Sequence, residues 1–341
     1  MARFGGQLKS NEIFSALYNM IISQEVFADN IKGSDLVDEA RVDGSLFGDT
    51  KLYYATDALG SSEWGNDKEA ANLLAIDRPE APMCQEITLD KFRQIRLTVD
   101  DYLSKRAWGD EGAFSSFQSV MLGWLKDTKK VYDGTMYNAY IGTCEGSSNK
   151  AEVTVNGDDA KVLAQGLADI ITEMTDYTRD FNDYGYLRKY SEDEIKIIFN
   201  SKYINKIKNV DLPVIFDNEG LKATFSKKVL PARYFGVVNG TEKVADDSTR
   251  SLIEQVIGGI HYFAGDHIAN GSTAPAGTSY QEDGKIIAKI VVKLPPLMSA
   301  FEVGTSFFNP RSLTENHYLT WGHNTLEYLE AYPMITVKAS E

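Results

Sequence analysis

Apolar residues recur at steps of three and four from Gly112 to about Tyr140: Phe114, Phe117, Met121, Trp124 with Leu125, Tyr132, Met136, and Ala139 with Tyr140. That spacing predicts one long amphipathic helix. Asp110 and Glu111 at its start complement the helix dipole, and Gly142 is placed just past its end. At 1.5 Å per residue the helix would be about 40 Å long, the length of a strut, with Gly123 and Gly134 as candidate bend points.

Upstream the pattern changes. Residues 1–40 carry a Gly-containing arm and a weak helical pattern (Ile13, Leu17, Met20 or Ile21) that ends at Gly33. Residues 52–56 read as a strand. Residues 85–99 alternate, with Ile87, Leu89, Ile95, Leu97 and Val99 on one face and Lys91 and Arg93 interrupting it. Between them lies a polar, turn-rich tip, DALGSSEWGNDKEA, so the segment reads as a long two-stranded excursion with too few apolar groups for a core of its own.

Downstream, residues 150–325 read as a compact α/β region. Leu163, Leu167, Ile170 with Ile171, Met174, Tyr177 and Phe181 form a helical stripe, capped by Asp158 or Asp159. Residues 194–199 have the continuous apolar run of a buried strand, followed by a short helix from Ser201 to about Asn209. Strands are expected at 212–216, 233–238 and 286–294, the last stopped by Pro295 and Pro296, with a helix from about Ser248. Residues 318–338 fit strands returning to a sheet.

Composition narrows the function. The 341 residues carry 35 Lys plus Arg against 49 Asp plus Glu, a net charge of −14, so bulk binding to nucleic acid is disfavoured. Two cysteines, Cys84 and Cys144, cannot form a disulfide framework and point to a reducing compartment. No stretch is long and apolar enough to cross a bilayer as a helix, and the N-terminus lacks an export signal, which predicts a protein that stays in the cytosol where it is made. Phosphate-loop, dinucleotide, nucleophile-elbow and zinc-helix motifs are absent, and no cofactor is expected.

The histidines come as His261 with His267 and His317 with His323. On a helix the first pair leaves different faces; on a strand the second pair shares a face but stands about 20 Å apart. Only a turn at Gly322 would let His317 and His323 converge, so all four read as surface or packing residues. Cys144 reads as a buried structural thiol. Arg93 and Arg96 allow two readings: a solvated strand face, or contacts with carboxylates of another subunit, for which the tip residues Glu63, Asp67 and Glu69 have the right sign.

An arm, a projecting loop, a strut helix, an α/β region and closing strands follow one another in an order that resembles the major capsid protein of tailed bacteriophages, a fold shared with encapsulin shells. Three passages carry it. PEAPMCQEITLDKFRQIRLTVDDYLSKRAWGDEGAF looks like the returning strand of the extended loop leading into the spine helix. SEDEIKIIFNSKYINKIKNVDLPVIFD looks like a strand-helix-strand unit of the axial domain, and FFNPRSLTENHYLTWGHNTLEYLEAYPMITVK like the final peripheral-domain strands.

The resemblance implies an α+β chain divided into an N-terminal arm (1–40), an extended β-hairpin loop with flanking peripheral-domain strands (41–110), a spine helix and peripheral domain (111–150), an axial α/β domain (151–317) and closing peripheral-domain strands (318–341). It implies a structural protein and not an enzyme. Copies of the chain would assemble through pentamers and hexamers into an icosahedral shell, the virion capsid, around double-stranded DNA held without sequence-specific contact. Portal, cement and separate scaffolding proteins are the further expected partners, and assembly is expected in the host cytoplasm. Glu63, Trp64, Asp67, Glu69, Arg93 and Arg96 are the candidate contacts between subunits. The alternatives are a soluble α/β enzyme with a metal or acid-base site near His317 and His323, and an encapsulin-like compartment around an enzyme cargo.

Overall fold

The computed structural model describes residues 31–44, 49–61, 76, 78–100, 111–144, 150, 152–155, 160–208, 226–239 and 279–340. The expected helical pattern before Gly33, the tip with Glu63, Trp64, Asp67 and Glu69, the strand at 212–216, the helix from Ser248 and the pair His261 and His267 lie outside these residues. So do the capping aspartates Asp158 and Asp159.

The described elements are α1 (Asp35–Ala40), β1 (Arg41–Asp43), β2 (Thr50–Ala55), β3 (Met83–Asp100), α2 (Glu111–Thr143), β4 (Glu152–Val155), α3 (Ala160–Met174), β5 (Lys196–Asn200), α4 (Ser201–Lys208), β6 (Ser226–Leu230), β7 (Gly236–Asn239), β8 (Ser279–Glu282), β9 (Ile286–Val291), β10 (Leu297–Asn309), β11 (Thr314–Asn324) and β12 (Met334–Ala339). They build a first sheet in the order β1-β10-β11-β3-β2, a second in the order β4-β12-β9-β5-β6, and a ribbon of β7 and β8.

The predicted strut is α2, 33 residues long and about 50 Å from end to end, unbroken at Gly123 and Gly134. Its buried residues, among them Leu125, Tyr132, Met136, Tyr137, Tyr140 and Ile141, share one core with Leu319 and Trp321 of the first sheet and Ile198, Ile286, Val291 and Met334 of the second. Both sheets therefore pack against the same helix, which explains why its apolar stripe is so long.

The second sheet is buried on both faces. Ile198 of β5 belongs to the core along α2, whereas its neighbours Ile197 and Phe199 belong to the core under α3 with Leu163, Leu167, Ile171 and Met174. Alternate residues of a strand point to opposite faces, so a strand covered on both sides reads as consecutive apolar residues, as Ile197, Ile198 and Phe199 do. The same alternation turns Lys289 of β9 toward α2. There its buried ammonium donates to the Cys144 carbonyl (2.8 Å) and the Thr336 hydroxyl (2.7 Å), placing a cation at the negative end of the helix.

Three sequence expectations need correction. Gly142 lies inside the last turn of α2 and not beyond it. A Cβ there would stand 1.9 Å from the Tyr234 carbonyl oxygen, so glycine is required by the close approach of residues 232–235 to the helix. Within the segment expected as an arm, Leu36, Val37 and Ala40 are buried against α2. The segment 233–238 divides, with a 3-10 turn at Ala232–Tyr234 preceding β7. Finally, the returning strands of 318–338 join different sheets. β11 sits in the middle of the first, between β10 and β3, and β12 is an inner strand of the second, between β4 and β9.

Candidate functional site: the helix–sheet seam and the exposed sheet

β3 runs for 18 residues, about 60 Å, pairing first with β2 (Thr50 opposite Thr88, Ala55 opposite Met83) and then with β11 (Asn324 opposite Leu89, Thr314 opposite Asp100). It is thus both the return strand of the excursion and a strand of the first sheet. Odd-numbered residues from Ile87 to Val99 share the covered face, where Ile95 and Leu97 pack on the core along α2 and Ile87 and Leu89 pack with Met298, Ala300 and Leu329, and even-numbered residues face away and are mostly exposed. Arg93 and Arg96 therefore leave opposite faces. Arg93 turns inward onto the helix, with its Nε donating to the Tyr132 hydroxyl at 2.9 Å and its guanidinium over the same ring at 5.8 Å. Arg96 is exposed on the outer face, beside Tyr318 in register. The structure does not bring the two arginines together.

The inward polar groups form a seam between α2 and the sheet. His323 Nδ1 lies 2.9 Å from the Asn324 carbonyl, which can only accept, so Nδ1 carries the proton and Nε2 is the acceptor for the Tyr132 hydroxyl at 3.4 Å. Burial, with Arg93 and Lys91 nearby, pushes the His323 imidazole down to about 4. One helical turn away, the buried Lys129 ammonium bonds Asp133 at 3.0 Å, approaches Glu302 at 3.6 Å and sits 5.9 Å over the Trp321 ring. Burial raises the Asp133 carboxyl despite Lys129. Tyr137 donates to the Pro295 carbonyl at 2.8 Å, tying the helix to the start of β10.

This seam explains why Arg93 interrupts the apolar face of β3: it meets the Tyr132 hydroxyl and ring of α2, while Lys91 stands opposite His323 in register. Tyr132 belongs to the predicted stripe, but its part in the seam was not visible, because neither Arg93 nor His323 is near it in sequence. The i,i+4 pair Lys129 and Asp133 was legible as a helical ion pair but not as a buried one.

His317 and His323 lie on the uninterrupted strand β11, both buried on the same face, with Gly322 in the ladder opposite Phe92. No turn brings them together, and among the described residues no three His, Cys, Asp or Glu side chains gather to hold a metal. Cys144 is buried, its sulfur 3.4 Å from the Tyr140 hydroxyl. No described helix is long and apolar enough to cross a membrane.

The base of the excursion is fastened to the loop after α3. The Asp57 carboxylate accepts from the Leu187 and Ala58 amides, both at 2.8 Å, and pairs with Arg179, while Arg188 donates to the Thr56 carbonyl at 2.7 Å. The Arg179 guanidinium and the Leu187 amide hold the Asp57 carboxyl down at about 2. Because its folded value is depressed, the anchor is fully present above about pH 4, the ordinary carboxylate range, and is lost as pH falls through about 2. Asp57→Asn should speed hydrogen exchange of the Leu187 amide at neutral pH; an unchanged rate would show that the anchor does not hold that loop.

No family model matches the sequence, and no curated protein matches it. Solved structures do. A chain of the capsid structure of Staphylococcus phage Andhra is 12% identical, with 93% of this chain and 84% of that chain covered and a TM-score of 0.61. A chain of the structure of head fiber and inner core protein gp22 of native bacteriophage P68 is 10% identical, with 92% of this chain and 87% of that chain covered and a TM-score of 0.63. At such identities the similarity concerns the path of the backbone, from an extended two-stranded excursion through a strut helix shared by two sheets. The chain shares that fold with a chain of a phage capsid.

Proposed function

We propose that the chain is a major capsid protein, whose copies assemble through pentamers and hexamers into an icosahedral shell around the double-stranded DNA of a tailed phage. The observation that carries this reading is the extent of the fold similarity, more than nine-tenths of the chain, to a chain of a phage capsid. In this reading residues 1–40 supply an arm, 41–110 the extended loop, 111–150 the spine, 151–317 the axial domain and 318–341 the closing strands. The excursion, up to where β3 joins its own sheet at Leu89, lies over the spine helix and peripheral domain of a neighbour, where Glu63, Trp64, Asp67 and Glu69 meet its surface, and Arg96 serves as a contact from the exposed sheet face. The role is structural and not enzymatic.

Physical chemistry supports the same reading. A sheet with large apolar groups on its uncovered face is costly for a monomer and is stabilised when a neighbour covers it. The net charge of −14 suits a wall that holds DNA without adhering to it. Scaffolding, portal and cement proteins are the expected partners, and the virion capsid, assembled in the host cytoplasm, the expected location. Electron microscopy of the purified product tests this directly: closed shells are expected, and a stable monomer at high concentration would refute it. Deleting residues 60–72 should leave a folded subunit that forms no shells, read by circular dichroism and microscopy together. Normal particles from that deletion would remove the loop from assembly.

A further inference from the structure

The first sheet is wide at one end and narrow at the other. β1 pairs with β10 only from Leu297 to Ser299, and β2 pairs with β3 only from Met83 to Thr88. Beyond those limits, among the described residues, β11 is the one strand in the ladder with either of them. The narrow end is therefore a three-stranded ribbon in which β10 and β3 are both edges. After a bulge between Ala300 and Val303, β10 runs in regular register with β11 to Asn309.

An edge strand is a template for adding another strand, and single chains usually blunt it with lysine or proline. β10 contains neither. Instead Val303 and Phe307 are 44% and 61% exposed on the face turned away from α2. The turn that follows carries Leu313, 46% exposed with φ at +53°, a left-handed conformation that costs a leucine of the order of 1 kcal/mol and that glycine or asparagine would take with ease. An exposed leucine kept in that conformation points to a contact made outside the chain.

Charge is compatible with a β3 edge as that partner. Over the stretch that would pair, β10 from Val303 to Phe307 carries no charge and β3 from Gln94 to Val99 carries Arg96, so two β3 edges would set cation beside cation whereas β10 against β3 does not. Direction and facing agree as well. β10 and β3 are each antiparallel to β11, hence parallel to one another, and the register aligns Val303 with Gln94, Thr305 with Arg96, and Phe307 with Thr98 across β11, all on the outer face. A second copy placed head to tail meets the ribbon in the same direction with the same face outward.

We propose that the β10 edge from Val303 to Phe307 pairs with the β3 edge from Gln94 to Val99 of a second copy of this chain, a heterologous strand addition that repeats from copy to copy. This deepens the capsid reading and rests on it. In a Cys84→Ser background, Thr305→Cys is combined in turn with Gln94→Cys, Arg96→Cys and Thr98→Cys, and purified particles are oxidised. Within one chain these positions are two strand spacings apart, about 9.5 Å, beyond the roughly 7 Å a disulfide spans, so any bridge joins two copies. At least one combination should give a ladder of covalent oligomers under denaturing, non-reducing conditions. Val303→Lys with Phe307→Lys should give a subunit that melts within about 2 °C of the parent yet forms no particles. Intact particles with no ladder from any pair, or normal particles from the lysine variant, would overturn the edge pairing and leave the capsid reading standing, the edge then being covered by another occupant such as residues 1–30. A parent that forms no particles at all would overturn both.

Discussion

Gly142→Ala is expected to lose at least about 3 kcal/mol of stability, seen as a fall of many degrees in the melting temperature or as failure to accumulate folded protein. The added methyl would lie 1.9 Å from the Tyr234 carbonyl oxygen, 2.5 Å from its carbonyl carbon and 3.2 Å from the Phe235 amide nitrogen. These are backbone atoms, so no side chain can swing away to make room. Relief requires moving the 3-10 turn at residues 232–234 or the last turn of α2, and both are held. Tyr234 and Phe235 are buried in the core along α2, and Lys289 bonds the carbonyl that ends the helix. Gly123 in the same helix is the control, since no described atom lies within 4 Å of a Cβ placed there. Gly123→Ala should be neutral or stabilising by up to about 1 kcal/mol, because alanine is the better helix former. A Gly142→Ala protein that melts with the parent would show that the helix end and the turn are not packed as described.

Acidification should weaken the subunit between pH 6.5 and about 4, by roughly 3 kcal/mol across that window, and His323→Gln should remove most of that dependence. The sign follows from burial. His323 is neutral in the fold down to about pH 4, whereas an unfolded histidine takes its proton near pH 6.5. Between those values the unfolded chain binds the extra proton, so stability falls as the pH falls. Protonation in the fold would set a cation beside Arg93 and Lys91 and remove the acceptor that Nε2 offers to the Tyr132 hydroxyl. Tyr132→Phe supplies a second reading: it leaves the ring against Trp321 and removes the hydroxyl that links Arg93 to His323. Denaturant titrations at pH 7 and pH 4.5 on the parent and both variants check this. A parent whose midpoint is the same at both pH values would show that the imidazole is not held neutral by its burial.

The elements that could be read from the chain are those whose own neighbours in sequence set their pattern. The stripe of α2, the alternation of β3, the apolar run Ile197–Phe199 of β5 and the stop of β9 before Pro295 and Pro296 are local regularities, and each lies where it was expected to within a few residues. β10 was not read as a strand, because Leu297–Asn309 mixes exposed apolar and small polar residues without a buried alternate face over most of its length. Its strand character comes from β11, which it pairs with. Gly142 was read as a helix terminator by the same local logic, and its real cause, the carbonyl of Tyr234, is 92 residues away.

Of the candidate contacts, Arg93 and Arg96 looked equivalent in KFRQIR. Three positions apart on a strand means opposite faces, and that parity follows from the alternation, but which face meets the helix depends on α2 lying across it. The four tip residues Glu63, Trp64, Asp67 and Glu69 lie outside the described residues. The histidines show the other limit. Spacing alone already separated His317 from His323 along a strand, and it took the ladder on both sides of Gly322 to exclude the turn that would have joined them.

Element type, the order of elements and the resemblance they carry were thus written in periods of two and of 3.6, which depend on backbone geometry that every residue shares. The seam of Tyr132, Arg93 and His323, the buried Lys289 at the helix end and the β10 edge that is left open among the described residues depend on which distant segments meet. No local period encodes those meetings, because their energy comes from burying or opposing groups that are adjacent only after the two sheets have closed on one helix.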